Sequence, residues 1–264
     1  MSVSLVIVSI LWKALATAAV IVAAGRLAQR AGPVLTSVLI TLPVNAGPGF
    51  FFIALEQETP FIHAGALTAF SVTGAVLLFC TAWVHAARFG GFLLSLAAGL
   101  AAWTAWALAT EALPATLPFA FAAAGTGALL AWLLRRRGIG RPTSAAAPAG
   151  WSFVMVRGAV AGLVVASVAT ASPWLGPVWS GFLLAFPTTL IASAWMLYGH
   201  YGREFTAATL NAAQPSLVVY ASFCLALHFL AGPLPALTAV IVAFLGAAVF
   251  AACLALVLSR RRRA

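Results

Sequence analysis

Residues 32–43 read Gly-Pro-Val-Leu-Thr-Ser-Val-Leu-Ile-Thr-Leu-Pro, and residues 176–187 read Gly-Pro-Val-Trp-Ser-Gly-Phe-Leu-Leu-Ala-Phe-Pro. The blocks share their first three residues and their last, at an offset of 144. Lys13 stands thirty residues before Pro43, and Arg157 stands thirty residues before Pro187. Each proline lies inside a hydrophobic segment, and so does each cation. A helix breaker and an intramembrane charge repeated in register indicate two copies of one unit.

The chain has 264 residues, of which 64% are hydrophobic and 7% charged. Soluble domains carry about 25% charge, so the solvent expected for this much apolar surface is lipid. The net charge of +10 sits in short clusters between hydrophobic spans. No basic stripe interleaved with aromatics is present, so the charge is read as a topology signal and nucleic acid is not an expected partner. Cys80, Cys224 and Cys253 lie in apolar spans without metal-type spacing and read as small buried hydrophobes. No cleavable signal peptide is evident, and the first span is expected to remain as a membrane helix.

Nine spans can be drawn, at about 3–25, 33–55, 60–86, 91–111, 115–134, 152–172, 176–199, 205–230 and 234–258. Arg26 and Arg30 follow the first, Arg88 the third, Arg135, Arg136, Arg137 and Arg141 the fifth, Arg203 the seventh, and Arg260 to Arg263 the ninth. The other loops hold Glu56, Glu58 and Glu111 but no Lys or Arg. The positive-inside rule then puts the N-terminus outside and the C-terminus in the cytoplasm of a bacterial inner membrane.

Spans one to four align without gaps onto spans six to nine. The rare matches are Gly32 with Gly176, Pro33 with Pro177, Pro43 with Pro187 and Cys80 with Cys224, while Lys13 and Arg157 conserve charge. The unmatched fifth span reverses the second unit, giving the inverted-topology repeat common among secondary transporters. The expected fold is therefore all-α and polytopic. Residues 1–111 form the first four-helix repeat, 112–151 a linking helix and cytoplasmic linker, and 152–264 the second repeat.

The segments Trp12-Lys13-Ala14-Leu15 and Phe186-Pro187-Thr188-Thr189-Leu190-Ile191-Ala192 resemble those of the small GlpM-like inner-membrane proteins. The resemblance implies a first-helix Lys ahead of a Phe-Pro-Thr helix break. Each copy departs once, with Arg157 replacing Lys in the second half and Leu42-Pro43-Val44 replacing Phe-Pro-Thr in the first. It speaks to architecture more than to chemistry.

Broken helices at matching places in two halves are a sequence pointer to a transporter's central site, although a packed Pro kink is the alternative. Val44-Asn45-Ala46-Gly47-Pro48-Gly49 is expected to unwind after Pro43. The candidate substrate-binding residues are Lys13, Pro43, Asn45, Gly47, Arg157, Pro187, Thr188, Thr189, Asn211 and Gln214. Lys13 and Arg157 are expected to flank a cavity and attract an anion, though Arg157 also has a snorkelling reading as a headgroup anchor. The polar residues have interhelical bonding as their alternative. The histidines, and Trp83, Trp132, Trp151 and Trp174, read as interfacial. Gly158 and Gly162 form a GxxxG spacing suited to helix packing, with a homodimer as one outcome.

The chain has no Asp, and its four Glu lie near span ends, which argues against a cation exchanger with a midplane carboxylate. No zinc-protease motif, nucleophile elbow or P-loop is present. Neither an enzyme nor a cofactor or metal is expected. The leading expectation is a secondary transporter or flippase for a small anionic or amphipathic solute. The other is a non-catalytic membrane subunit stabilising an enzyme or export complex.

Overall fold

A computed structural model describes residues 3–30, 42–135 and 150–260. The Gly32-Pro33 turn, the first part of the second span, residues 136–149 of the linker and the basic stretch 261–263 lie outside the described residues. The described chain is all-α. In order it forms α1 (Val3–Arg30), α2 (Ala46–Ala54), α3 (Thr59–Ser71), α4 (Thr73–Ala86), α5 (Phe92–Glu111), α6 (Leu117–Leu134), α7 (Trp151–Leu184), α8 (Thr188–Ala213), a 3-10 turn (Gln214–Ser216), α9 (Leu217–Leu230) and α10 (Ala236–Arg260).

Helix faces run opposite to those of a soluble protein. Along α10, Ala239, Ala243, Ala247, Ala251 and Ala255 are buried at every fourth position, while Leu245, Val249 and Val257 point outward and are more than half exposed. In α6, Ala120, Ala123, Gly127 and Ala131 face inward, whereas Leu129, Trp132 and Leu133 face out. Small residues let backbones approach, and the large apolar ones need a hydrocarbon solvent. Six stretches are long and apolar enough to cross a bilayer, one of them the 77 residues Val154–Leu230.

That long stretch divides at two glycines. Gly176 (φ 74°, ψ 172°) and Gly202 (φ 77°, ψ −174°) adopt backbone that side chains with a Cβ rarely reach. Pro177 follows the first as the start of a new helical leg, where its missing N–H costs nothing. The segment from Trp151 to Leu230 thus becomes three legs of about 25 residues, each able to span ~30 Å of hydrocarbon.

The first leg of α7 lies along α1. A Cβ on Gly162 would meet the Ala14 carbonyl oxygen at 2.5 Å, and one on Gly158 would meet the Ala18 carbonyl oxygen at 3.1 Å. The GxxxG face is therefore occupied within the chain rather than offered to a second copy. At one end of this pair the Arg26 guanidinium stacks 3.5 Å from the Trp151 ring centre. Trp132, Trp151 and Trp174 are exposed, as expected of interfacial residues. Trp83 is not. It is 1% exposed and packed against Phe79 and Phe92, because α5 covers its face of α4.

Candidate functional site

Both repeated prolines sit in the same local turn. Around Pro43, the Val44 N–H donates to the Leu42 carbonyl at 2.8 Å and the Gly47 N–H donates to the Pro43 carbonyl at 2.8 Å. Around Pro187, Thr188 N–H donates to the Phe186 carbonyl at 2.8 Å and Ile191 N–H to the Pro187 carbonyl at 2.9 Å. Each pattern is an i+2 bond across the proline, followed by the first bond of a helix. Of the stretch expected to unwind after Pro43, only Val44 and Asn45 lie outside helix. Helix begins at Ala46, with Pro48 in its first turn, where no intrahelical donor is required.

The two turns meet. Asn45 Nδ2 donates to Thr188 Oγ1 and to Thr189 Oγ1, each at 3.3 Å. A cavity of about 300 Å³ lies against this junction, bordered by Pro43 and Asn45 from one turn and Pro187 and Thr189 from the other. Arg157 of α7 borders it too, along with Ser193, Thr209, Ser216 and Tyr220. Most of the remaining wall is aliphatic, including Val76, Leu184, Leu190 and Leu210.

Several polar atoms at this cavity lack partners. Asn45 uses its amide N–H groups on the two threonines, and its Oδ1 is buried without a donor. The Arg157 Nε is likewise buried and unbonded, and among the described residues its guanidinium has neither an ion pair nor a hydrogen bond. The Tyr220 hydroxyl finds no oxygen or nitrogen partner and has the weakly bonding Cys224 thiol beside it. Buried polar groups are normally satisfied, and these three are sealed by their neighbours, so a guest in the cavity would meet them only after a side-chain rotation, whereas the Arg157 Nη atoms are not sealed in this way.

Lys13 occupies a different setting. Its side chain is 0% exposed, and Nζ donates to Glu56 Oε1 at 2.6 Å and to Thr170 Oγ1 at 3.5 Å. It is not among the residues lining the cavity. The two cations expected to share one cavity are thus separated in role, since Lys13 is charge-compensated and Arg157 is not. Gly47 serves packing: a Cβ there would strike the Phe244 ring at 2.6 Å. Asn211 is held by Arg135, whose Nε donates to Oδ1 at 3.1 Å and whose Nη2 donates to the Asn211 carbonyl at 2.9 Å. Gln214 is buried in the 3-10 turn with Nε2 unbonded, beside the cavity-lining Ala213 and Ser216 but not itself lining it.

Thr209 and Tyr220 were not singled out from the sequence. Their signal was the helical spacing of Thr209, Ala213, Ser216 and Tyr220, which sets them along one face. A second constellation was also missed. His63 and His228 stack with ring centres 3.8 Å apart, and each Nδ1 lies against the other's carbonyl oxygen, at 2.8 and 2.9 Å. Comparison with protein-family models, curated proteins and solved structures finds no match for this chain.

Proposed function

We propose that this chain is a secondary transporter of the bacterial inner membrane that carries a small anionic or amphipathic solute through the cavity between its two proline turns. Nine crossings, with the N-terminus outside and the C-terminus in the cytoplasm, belong to this proposal. So does an inverted pair of GlpM-like four-helix units joined by α6. Matching boundaries support the duplication: α4 (Thr73–Ala86) and α9 (Leu217–Leu230) both hold 14 residues and begin 144 apart, and α5 and α10 begin at the same offset. The hydrogen bonds at Pro43 and Pro187 repeat at that offset too. Asn45 and Thr189 are equivalent positions in direct contact, as residues beside a pseudo-two-fold axis must be.

Contacts between helix ends support the sidedness. Arg26 with Trp151, and His85 with the Leu134 carbonyl, join ends that the charge rule assigns to the cytoplasm. His63 with His228, and Lys13 with Glu56, join parts assigned to the outer half.

The observation carrying the functional reading is the uncompensated Arg157 on the wall of a cavity at two helix breaks. An ionisable side chain at the centre of a membrane helix costs about 2.5–3.5 kcal/mol on insertion scales, and Arg157, half-buried and a turn and a half into α7, bears part of that cost. An anionic solute would offset that cost, and rocking of the two units about the junction would expose it to either side in turn. The experiment is anion flux into proteoliposomes with the wild-type chain and with Arg157→Gln. Arg157-dependent flux, reduced at least tenfold in the variant, is the expected outcome. Equal flux in both would remove the cavity as the route.

A further inference from the structure

The cavity's charge narrows what it can hold, on the premise that it is the transport site. Arg157 is its single charged lining residue among the described ones, and residues 31–41, which run into Leu42 at its edge, contain no ionisable side chain. No carboxylate borders it. The repeat shows how this excess positive charge arises. In the first half Lys13 is neutralised by Glu56, forty-three residues later. The position equivalent to Glu56 in the second half is His200, so that copy retains its cation and has no carboxylate in the corresponding place. The same scaffold therefore holds one closed ion pair and one open cation.

We propose that the open cation is completed by a monovalent organic acid whose carboxylate pairs with Arg157 and whose apolar body lies against Val76, Leu184 and Leu190. A guanidinium accepts a carboxylate through two parallel N–H donors, which suits this head group better than a point charge would. One negative charge balances the site. A dianion leaves a second charge desolvated without a counter-ion, and an ammonium group meets no carboxylate. Asn45 borders the cavity, and rotation of its carboxamide would bring the unbonded Oδ1 to a guest's donor, so an acid bearing a hydroxyl or N–H is held better than one without. A part-open cavity of about 300 Å³ has room for a small aromatic or short aliphatic acid.

The test is calorimetric binding to the full chain in nanodiscs at pH 7.5, using 4-hydroxybenzoate, benzoate, terephthalate and benzylamine as probes. Binding of 4-hydroxybenzoate is expected to exceed that of benzoate by about fivefold to tenfold, the value of one hydrogen bond, with no binding of terephthalate or benzylamine. Arg157→Gln should abolish binding and Arg157→Lys should weaken it. Asn45→Leu should bring the two monoacids to equal affinity. If Arg157→Gln fails to fold, the order of the four probes on the wild-type chain decides the matter alone. Binding of terephthalate as tight as that of the monoacids overturns the monoanion assignment, and so does absence of monoacid binding. If Arg157-dependent flux of a dianion or of inorganic phosphate is then found, the transport reading stands without this assignment. If no anion shows Arg157-dependent flux, both fall.

Discussion

The Lys13–Glu56 pair gives an asymmetric prediction that the burial of its two ends determines. Lys13 is 0% exposed, whereas the Glu56 side chain is 39% exposed. Removing one partner of a fully buried pair costs about 3–5 kcal/mol, and breaking an exposed pair costs about 0–1 kcal/mol. Glu56→Gln strands a sequestered ammonium whose other partner among the described residues is Thr170 Oγ1 at 3.5 Å, so the burial of Lys13 dominates and the exposure of Glu56 discounts it. The expected loss is about 2–3 kcal/mol. Lys13→Met strands a carboxylate that already reaches the surface and deletes a cation from the helix interior, so its cost is expected to stay within about 1 kcal/mol. The double variant Lys13→Met/Glu56→Gln should then resemble Lys13→Met alone, with about 2–3 kcal/mol of coupling between the sites. Denaturant or thermal unfolding in nanodiscs reads all four corners of this cycle. Additive single losses, or a Lys13 variant less stable than the Glu56 variant, would refute the claim that the pair exists to neutralise a buried charge.

Gly162→Ala should destabilise by about 1–3 kcal/mol, because its new methyl meets the backbone of α1 at Ala14 and Ala18 rather than a side chain that can turn away. Gly125→Ala, where nothing lies within 4 Å, should stay within about 0.5 kcal/mol by the same unfolding measurement. His63→Ala and His228→Ala should each loosen the contact between α3 and α9, and in a double-variant cycle they should couple by about 0.5–3 kcal/mol, since each ring bonds the other's backbone.

Much of the fold can be read from hydrophobic length and punctuation. The starts of α5, α6 and α10 follow Gly90-Gly91, Pro114 and Gly232-Pro233 closely, because turn residues end a span whatever packs around it. Two features were not legible in that way. The third and eighth spans each break partway, at Val72 and at Gln214–Ser216, and only the latter contains a proline. Val72 gives no local sign, so its break depends on the neighbours packed around it. The His63–His228 stack joins residues 165 apart in sequence, and no period or spacing encodes a contact set by two helices crossing.

At the site, the sequence located the two turns but not the division of labour between the cations. Depth alone made Lys13 the stronger cavity candidate and left Arg157 an anchor, since Arg157 begins only a turn and a half into its helix. Depth measures the cost of a charge; it does not say whether something in the protein already meets that cost. Glu56 sits at a span end and reads as a loop carboxylate, yet it reaches Lys13 where Trp12 of α1 meets Phe52 of α2. Among the described residues Arg157 has no such carboxylate, and the position 144 after Glu56 is His200. The proposed duplication makes this comparison possible within one chain: if symmetry places the same groups twice, a partner present in one copy and absent from the other marks the copy left open. On that proposal the half of the site to test for function is the one whose charge the fold leaves uncompensated.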